Sequence, residues 1–195
     1  MDSTLQGSML TPATDVRRWS DADLLGEIIG AESSQHYRGS LQPFFTGDEH
    51  PKCAVARELV KRWLGEELRS IAVFEQPQAV TDYLKIHFAG REYESFVVLF
   101  LDAHNRLLAL EEMFRGTLTQ TSVYPREVVK AALMHNAAAV MFSHNHPSTS
   151  PEPSKSDERL THTLKAALSL VDVRVLDHLI IGGAESFSFA QRGLI

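Results

Sequence analysis

Two histidines two positions apart, followed by a serine and an aspartate, are the side chains in this sequence best suited to chemistry. The stretch SHNHPSTSPEPSKSD, residues 143–157, contains His144, His146, Ser154 and Asp157. Side chains at positions i and i+2 of an extended segment point to the same side, so the two imidazoles can converge on one ion. Asp157 falls in the first turn of a helix that Ser154 can cap, which would fix its carboxylate. The spacing therefore predicts a metal site with three ligands.

The expected ion is Zn²⁺, which in hydrolytic sites takes three protein ligands and keeps one position open for water. Zinc lowers the pKa of that water toward about 7, but the chemistry also needs a carboxylate to take the proton and a donor for the oxyanion. Ser154 is the candidate donor. A solvated histidine pair without metal is the alternative, which the pair alone does not exclude. The Ser-x-x-Asp pattern and the position after a buried strand favour the metal, because ligand sites in α/β sheets occur at the carboxyl ends of strands.

Apolar runs and turn signals predict the elements that position these residues. SFVVLFLD and AAAVMFSH read as buried strands, and His144 and His146 lie at the carboxyl end of the second strand. The order β-β-α-β-α-β-β predicts an α/β fold with helices packed on a mixed sheet. The remaining predicted elements are a return strand over 106–114, helices over 126–136 and 154–170, and strands within 173–182 and 185–193.

The part of the chain before this pattern reads as a small helical region. Residues 1–15 are rich in polar residues and turn formers and are predicted to be disordered. Ser20 is a predicted cap of a helix over 21–29, and an irregular linker follows over 30–52. Further helices are predicted over 53–68 and 78–88, with Trp19, Cys53 and Trp63 in the core. The predicted inward side of the helix over 53–68 is apolar and consists of Val55, Leu59, Val60, Trp63 and Leu64.

Composition excludes several classes of protein. Hydrophobic residues make up 44% and charged residues 23% of the 195 residues, as in ordinary globular chains. The net charge of −6 argues against a basic nucleic-acid surface over the whole chain. The single cysteine, Cys53, cannot form an internal disulfide or a cysteine-rich zinc site. Because the N-terminus is polar and no apolar run approaches about 20 residues, we expect a cytoplasmic protein with no membrane contact.

Beyond its composition, the chain resembles a known family. His-x-His, seven residues and then Ser-x-x-Asp is the metal motif of the JAMM (MPN-type, or JAB) metalloprotease fold, and it is matched here by His144, His146, Ser154 and Asp157. The flanking stretches YPREVVKAALMHNAAAVMFSHNHPS and VRVLDHLIIGGAESFSFAQRGLI resemble the RadC family of bacterial JAMM-domain proteins. The resemblance implies a Zn²⁺-binding, three-layer α/β core of the cytidine-deaminase-like kind. The implied domains are a tail over 1–15, a helical region over 16–70 and the RadC-like JAMM/MPN domain over 71–195.

The family mechanism requires a glutamate from an upstream strand as general base. Glu94 is the preferred candidate, because it immediately precedes the buried strand SFVVLFLD as the resemblance implies. Glu111 and Glu112 are the next candidates, on a return strand where successive side chains face opposite sides, so only one of them can reach the site. Glu92 is a further candidate, and Glu127 is explained by a place in the first turn of a helix.

Asp177 and His178 form a pair that the resemblance places regularly in RadC proteins. Either residue could orient a metal ligand, because ligating histidines usually donate their other N–H to a partner. A purely structural pair within a strand is the alternative, and it is favoured over the metal role. Thr149 departs from the glycine common in the family, which implies a stiffer loop after His-Pro-Ser.

Two functions from different classes follow from the resemblance. The first is a zinc-dependent hydrolase that cleaves a peptide or isopeptide bond in an unidentified protein or peptide substrate. The second is a DNA repair or recombination protein that binds DNA or protein as a scaffold with a zinc site. The stretch GAESSQHYRGSLQPFF lacks the Gly-x-Gly of the helix-hairpin-helix module that would grip DNA, so that module is degenerate or truncated. The acidic net charge also favours the hydrolase.

Overall fold

The computed structural model describes residues 15–45, 50–73, 75–116 and 123–195. Two compact units divide between Glu58 and Leu59. The predicted disordered tail, apart from Asp15, lies outside the described residues. The helices are α1 (Asp21–Ile29), α2 (Ala31–Ser34), α3 (Gln42–Phe45), α4 (Pro51–Ser70), α5 (Pro77–Phe88), α6 (Pro125–Met134) and α7 (Lys155–Ser169). The strands are β1 (Ser95–Leu101), β2 (Leu107–Arg115), β3 (Ala139–Asn145), β4 (Arg174–Gly182) and β5 (Glu185–Ser188). No helix among the described residues is both long and apolar enough to cross a bilayer.

The first unit is organised by α1. Ser20 and Asp23 form a capping box, in which each side chain bonds the other residue's backbone N–H, so α1 begins where the sequence predicts. Leu25 and Ile29 of α1 are buried against Phe44 and Cys53, which confirms that Cys53 faces a core. The segment predicted as irregular contains the one-turn helices α2 and α3.

The second unit is built on one five-stranded sheet with the strand order β2-β1-β3-β4-β5. β1 is antiparallel to both of its neighbours, β3 and β4 are parallel, and β5 is antiparallel to β4. All seven residues of β1 and all seven of β3 are buried, because both faces of these central strands are covered. The predicted order of strands and helices and the mixed α/β class are therefore confirmed.

Alternation along β1 supplies a separate core on each face of the sheet. Val97 and Leu99 pack with α5 residues such as Leu84 on one face. Phe96 and Val98 pack on the other face, where α6 and α7 contribute their own apolar residues. The result is three layers, helix–sheet–helix, and the second helical layer is the one that brings α7 over the end of β3.

Helix α4 corrects a prediction made from its apolar pattern. Val55, Leu59 and Trp63 are about three-fifths exposed, at 60%, 61% and 61%, although they were expected on the inward side. Leu64 and Leu68 are the buried apolar side chains of this helix in the second unit. Apolar residues occur on two opposite sides of α4, so periodicity alone does not decide which side packs inward. The placement of Trp63 in the core was also wrong.

Candidate metal centre

His144, His146 and Asp157 come together where β3 ends and α7 begins. One ligand atom from each residue lies within 4.8 Å of the others. The two Nε2 atoms of His144 and His146 are 2.9 Å apart. Asp157 Oδ1 lies 3.5 Å from Nε2 of His144, and Asp157 Oδ2 lies 3.8 Å from Nε2 of His146. The three residues that the spacing singles out therefore share one point in space.

The cap of α7 fixes the carboxylate of Asp157. Oδ2 accepts hydrogen bonds from the backbone N–H of Ser154, at 2.7 Å, and from its hydroxyl, at 2.6 Å. The backbone N–H of Asp157 donates to the Ser154 hydroxyl in return, which completes a capping box. With Oδ2 held by two donors, Oδ1 is the oxygen that remains for a ligand role. The helix start therefore also orients the third ligand, and the predicted capping by Ser154 is confirmed.

The tautomer of His146 follows from one contact. Its Nδ1 lies 2.9 Å from the carbonyl oxygen of Ser150, which can only accept, so Nδ1 carries the proton. The backbone N–H of His146 also donates to the carbonyl of Ile181 at 2.8 Å, which ties the residue to β4. Nε2 of His146 is left as a bare lone pair, the form in which imidazole binds metals.

A chain of hydrogen bonds assigns the tautomer of His144 in the same way. The hydroxyl of Thr161 donates to the carbonyl of Asp157 at 2.7 Å, so Nδ1 of His178, 2.6 Å from that hydroxyl, must donate to it. Nε2 of His178 is then the acceptor for Nδ1–H of His144, at 2.8 Å. Nε2 of His144 is consequently unprotonated as well.

Two lone pairs thus face each other across 2.9 Å beside the carboxylate of Asp157. Without a cation between them, the two nitrogen lone pairs and the carboxylate repel one another. With a cation bound, these contacts and the hydrogen bonds that fix the tautomers are all favourable. Burial lowers the pKa of His144 to about 4, with the charge of Asp157 raising it and that of His146 lowering it less strongly. Burial also holds the pKa of His178 well below its usual value. Both rings are neutral near pH 7, so the contact between His144 and Asp157 is not an ion pair, and the donor set fits a divalent metal.

The register of β1 against β3 indicates a place for Glu94 near this donor set. Phe96 of β1 pairs with His144 of β3. Extending this antiparallel register by two residues, past the start of β1 and the end of β3, would bring Glu94 opposite His146. Residues two apart on an extended segment face the same side, so in that extension Glu94 would share the face of Phe96 and of the histidines. Its side chain is half-buried. The role of Glu94 as general base stays a prediction.

Asn145 holds the backbone on both sides of Glu94. Its Oδ1 accepts from the N–H of Ser95 at 2.9 Å, and its Nδ2 donates to the carbonyl of Tyr93 at 2.9 Å. The side chain therefore points away from the ligands, toward the start of β1. The sequence gives no signal for this contact, because it depends on the pairing of β1 with β3.

The other candidate bases are engaged elsewhere. Glu111 Oε1 lies 2.6 Å from Nε2 of His135. Glu112 is bonded to Arg91, and Glu127 pairs with Arg126 at 3.0 Å in the first turn of α6. Glu92 is exposed. Glu94 is the one of these glutamates for which strand register indicates proximity to His146.

Asp177 and His178 have different roles in the structure. His178 bonds the ring of His144 directly, whereas the carboxylate of Asp177 accepts from the N–H of Ala190 at 2.9 Å and from the hydroxyl of Ser188. Asp177 thus anchors the C-terminal segment to β4, and burial raises its pKa. Thr161, which sequence reasoning missed, had one available signal, since it lies four residues after Asp157 on the same helix face.

Gly182 leaves room for the loop that orients His146. A Cβ at this position would lie 2.5 Å from the carbonyl oxygen of Thr149 and 2.7 Å from the carbonyl carbon of Ser150. We expect Gly182→Ala to displace the Ser150 carbonyl from Nδ1 of His146 and to weaken zinc binding about 10–100-fold, the usual cost of losing such a partner. Competition titration with a zinc-sensitive chelator measures the change. Gly26→Ala on α1, where the nearest atom is 3.5 Å away, is the matched control. Equal affinity for Gly182→Ala and wild type would contradict this role.

Thr149 adopts a left-handed backbone conformation. Its φ is 67°, a region that costs a β-branched residue roughly 1–2 kcal/mol. This explains in physical terms why glycine suits the position. We expect Thr149→Gly to raise the free energy of unfolding by about 1 kcal/mol, because relief of strain outweighs the added freedom of the unfolded chain. Urea unfolding measures the difference, with the exposed helical Thr163→Gly expected to lower stability instead. A less stable Thr149→Gly variant would refute the strain argument.

Comparison with known proteins agrees with this geometry. A protein from Acidovorax sp. (strain JS42) named "UPF0758 protein" is 62% identical over 138 residues, which cover 71% of this chain and 58% of the relative. A namesake from Janthinobacterium sp. (strain Marseille) is 59% identical over 181 residues, covering 89% of this chain and 81% of the relative. The chain spans less than two thirds of the Acidovorax protein and of a 61% identical namesake from Variovorax paradoxus (strain S110). A family model described as a RadC-like JAB domain matches residues 74–194. The chain therefore belongs to the RadC family of JAB-domain proteins.

Proposed function

We propose that this protein is a zinc-dependent hydrolase of the JAMM type that cleaves a peptide or isopeptide bond. One observation carries the proposal: the lone pairs of His144 and His146 meet beside Oδ1 of Asp157, a three-ligand set that leaves a fourth position for water. A purely structural zinc site usually fills all four positions from the protein. The side chains of His146 and Asp157 are 14% and 18% exposed, so a substrate can approach from that side.

Different residues of the protein would bind such an ion, transfer the proton and orient the ligating rings. His144, His146 and Asp157 would hold the zinc, which supplies Lewis-acid activation of water and of a carbonyl group. Glu94 takes the proton from the attacking water and returns it to the leaving amine, which requires a carboxylate within hydrogen-bond reach. His178 and the Ser150 carbonyl keep the two ligating rings in their tautomers.

Ser154 is the proposed donor to the oxyanion. Its hydroxyl donates to Oδ2 of Asp157 in the structure, and its backbone N–H donates to the same oxygen. Because the N–H alone can keep the carboxylate oriented, the hydroxyl can turn to the carbonyl oxygen of a substrate as negative charge develops there. The capping serine then serves both folding and catalysis.

An amide is the bond that this donor set favours. Among the described residues, His144, His146 and Asp157 form the one group placed to hold a metal ion. Phosphodiester hydrolysis by metals commonly uses two ions and more carboxylates. A single ion with two histidines and one aspartate suits attack on a carbonyl carbon.

Metal analysis and a substrate screen test the proposal together. Protein purified without chelator is expected to contain about one zinc per chain by elemental analysis. Chelator-stripped protein is then reloaded with Zn²⁺ or with Mg²⁺ and offered a peptide library and isopeptide-linked peptide pairs, with cleavage read by mass spectrometry. Cleavage restored by Zn²⁺ and not by Mg²⁺ is the expected result. Failure to bind zinc after reconstitution would overturn the proposal.

A further inference from the structure

The outward line of α4 is an apolar surface on one uninterrupted helix. We define this line as Lys52, Val55, Leu59, Trp63 and Glu66, all of which are exposed. At 100° per residue these five side chains lie within about 40° of one direction, centred on Leu59. A helix in a monomer normally turns such residues inward, and exposed tryptophan and leucine at this spacing are typical of a surface that meets another helix.

The residues of the outward line are spaced symmetrically about Leu59, and the two ends carry opposite charges. Val55 and Trp63 stand four residues before and after Leu59, and Lys52 and Glu66 stand seven residues before and after it. A second α4 running antiparallel about a two-fold axis at Leu59 would therefore oppose Val55 to Trp63 and Lys52 to Glu66. Each charged end meets its opposite, at both ends of the contact. A parallel pair would oppose lysine to lysine and glutamate to glutamate.

We infer that the outward line of α4 is a self-association surface, occupied by the same line of a second copy in antiparallel register. Contact of this kind is isologous, since the same patch serves both copies. The apolar middle supplies the attraction, and the Lys52–Glu66 pairs select the antiparallel direction, as flanking charges do in paired helices. One helix per copy is a small interface, so the dimer dissociates on dilution.

Sedimentation velocity of the full chain over a dilution series tests this inference. Wild type is expected to shift from monomer to dimer as concentration rises, and Leu59→Glu is expected to stay monomeric. Lys52→Glu and Glu66→Lys each place like charges at both ends of the contact, and each is expected to weaken dimerisation about tenfold. The double variant Lys52→Glu/Glu66→Lys recreates both pairs with reversed sign and is expected to restore the wild-type dissociation constant.

A control and a cross-link separate this contact from other surfaces. Leu170→Glu at the end of α7 replaces another exposed leucine, 85% exposed, and is expected to leave the dimer unchanged. Leu59→Cys places a thiol on the two-fold axis and is expected to give a disulfide-linked dimer on oxidation, whereas Cys53 is buried. Wild type that stays monomeric at every concentration would overturn the inference. So would a dimer that survives Leu59→Glu, or a double charge reversal that fails to restore association.

Discussion

Protein carrying His144→Ala is expected to be purified with almost no bound zinc, whereas wild type retains about one ion per chain. The substitution removes one of three ligands and leaves the Nε2 of His178 without its donor. We expect the affinity to fall by more than the roughly 100-fold that the loss of an orienting partner costs. Elemental analysis and competition with a chelator of known zinc affinity measure the loss.

The matched control for His144→Ala is His162→Ala. His162 lies on α7 and is exposed, and its imidazole is not part of the donor set. Circular dichroism establishes that each variant is folded before its metal content is compared. Retention of a full equivalent of zinc by His144→Ala would refute the ligand assignment, as would loss of zinc from His162→Ala.

Asp157→Asn is a better probe of the third ligand than Asp157→Ala. Alanine would also remove the capping box of α7, at a cost of about 1 kcal/mol in stability, and the two effects would be confused. Asparagine keeps an oxygen of similar shape and removes the charge, so a fall in zinc affinity at unchanged stability identifies the carboxylate as a ligand.

The parts of this site that follow local rules are the parts that the sequence predicts. Alternation along a strand places His144 and His146 on one side, and the capping rule sets both the start of α7 and the position of Asp157. Each of these requires only residues within four positions of one another. The same local logic locates β3 and therefore the edge of the sheet at which the site lies.

The remaining contacts depend on pairing between distant segments. His178 reaches His144 because β4 lies parallel to β3 with Phe142 opposite His178. The hydroxyl of Thr161 reaches His178 because α7 packs over both strands. Asn145 bonds the start of β1 for a similar reason. The outward line of α4 was assigned to the wrong side because the helix has two apolar sides, and only the tertiary structure selects between them.

Folding and metal binding share atoms at this site. Ser154 caps α7 by the same hydrogen bonds that aim Asp157, and the hydroxyl of Thr161 links the α7 backbone to His178. A metal that binds the folded state alone stabilises it by mass action. Retention of the cap is therefore not by itself a sign of catalysis, and the decisive residue for function is one that contributes to neither the cap nor the ligand set.

In the proposed mechanism Glu94 is that residue, and Glu94→Gln is expected to keep the bound zinc while reducing hydrolysis about 10²–10⁴-fold, the usual contribution of a general base. Glutamine has the same shape and can still hydrogen-bond water, but it cannot take the proton. The measurement is kcat/KM on an amide substrate that the zinc-loaded wild type cleaves, together with metal content.

The control for Glu94→Gln is the same substitution at Glu111, on the neighbouring strand β2, where the carboxylate pairs with His135. Glu111→Gln is expected to retain activity. Full activity in Glu94→Gln would refute the assignment, and if Glu111→Gln were the inactive variant the base would have to be reassigned to β2. Asn145 bonds the backbone on both sides of Glu94, and an extension of the β1–β3 register would bring Glu94 opposite His146. The two variants therefore also test whether the pairing of β1 with β3 positions the proposed catalytic carboxylate.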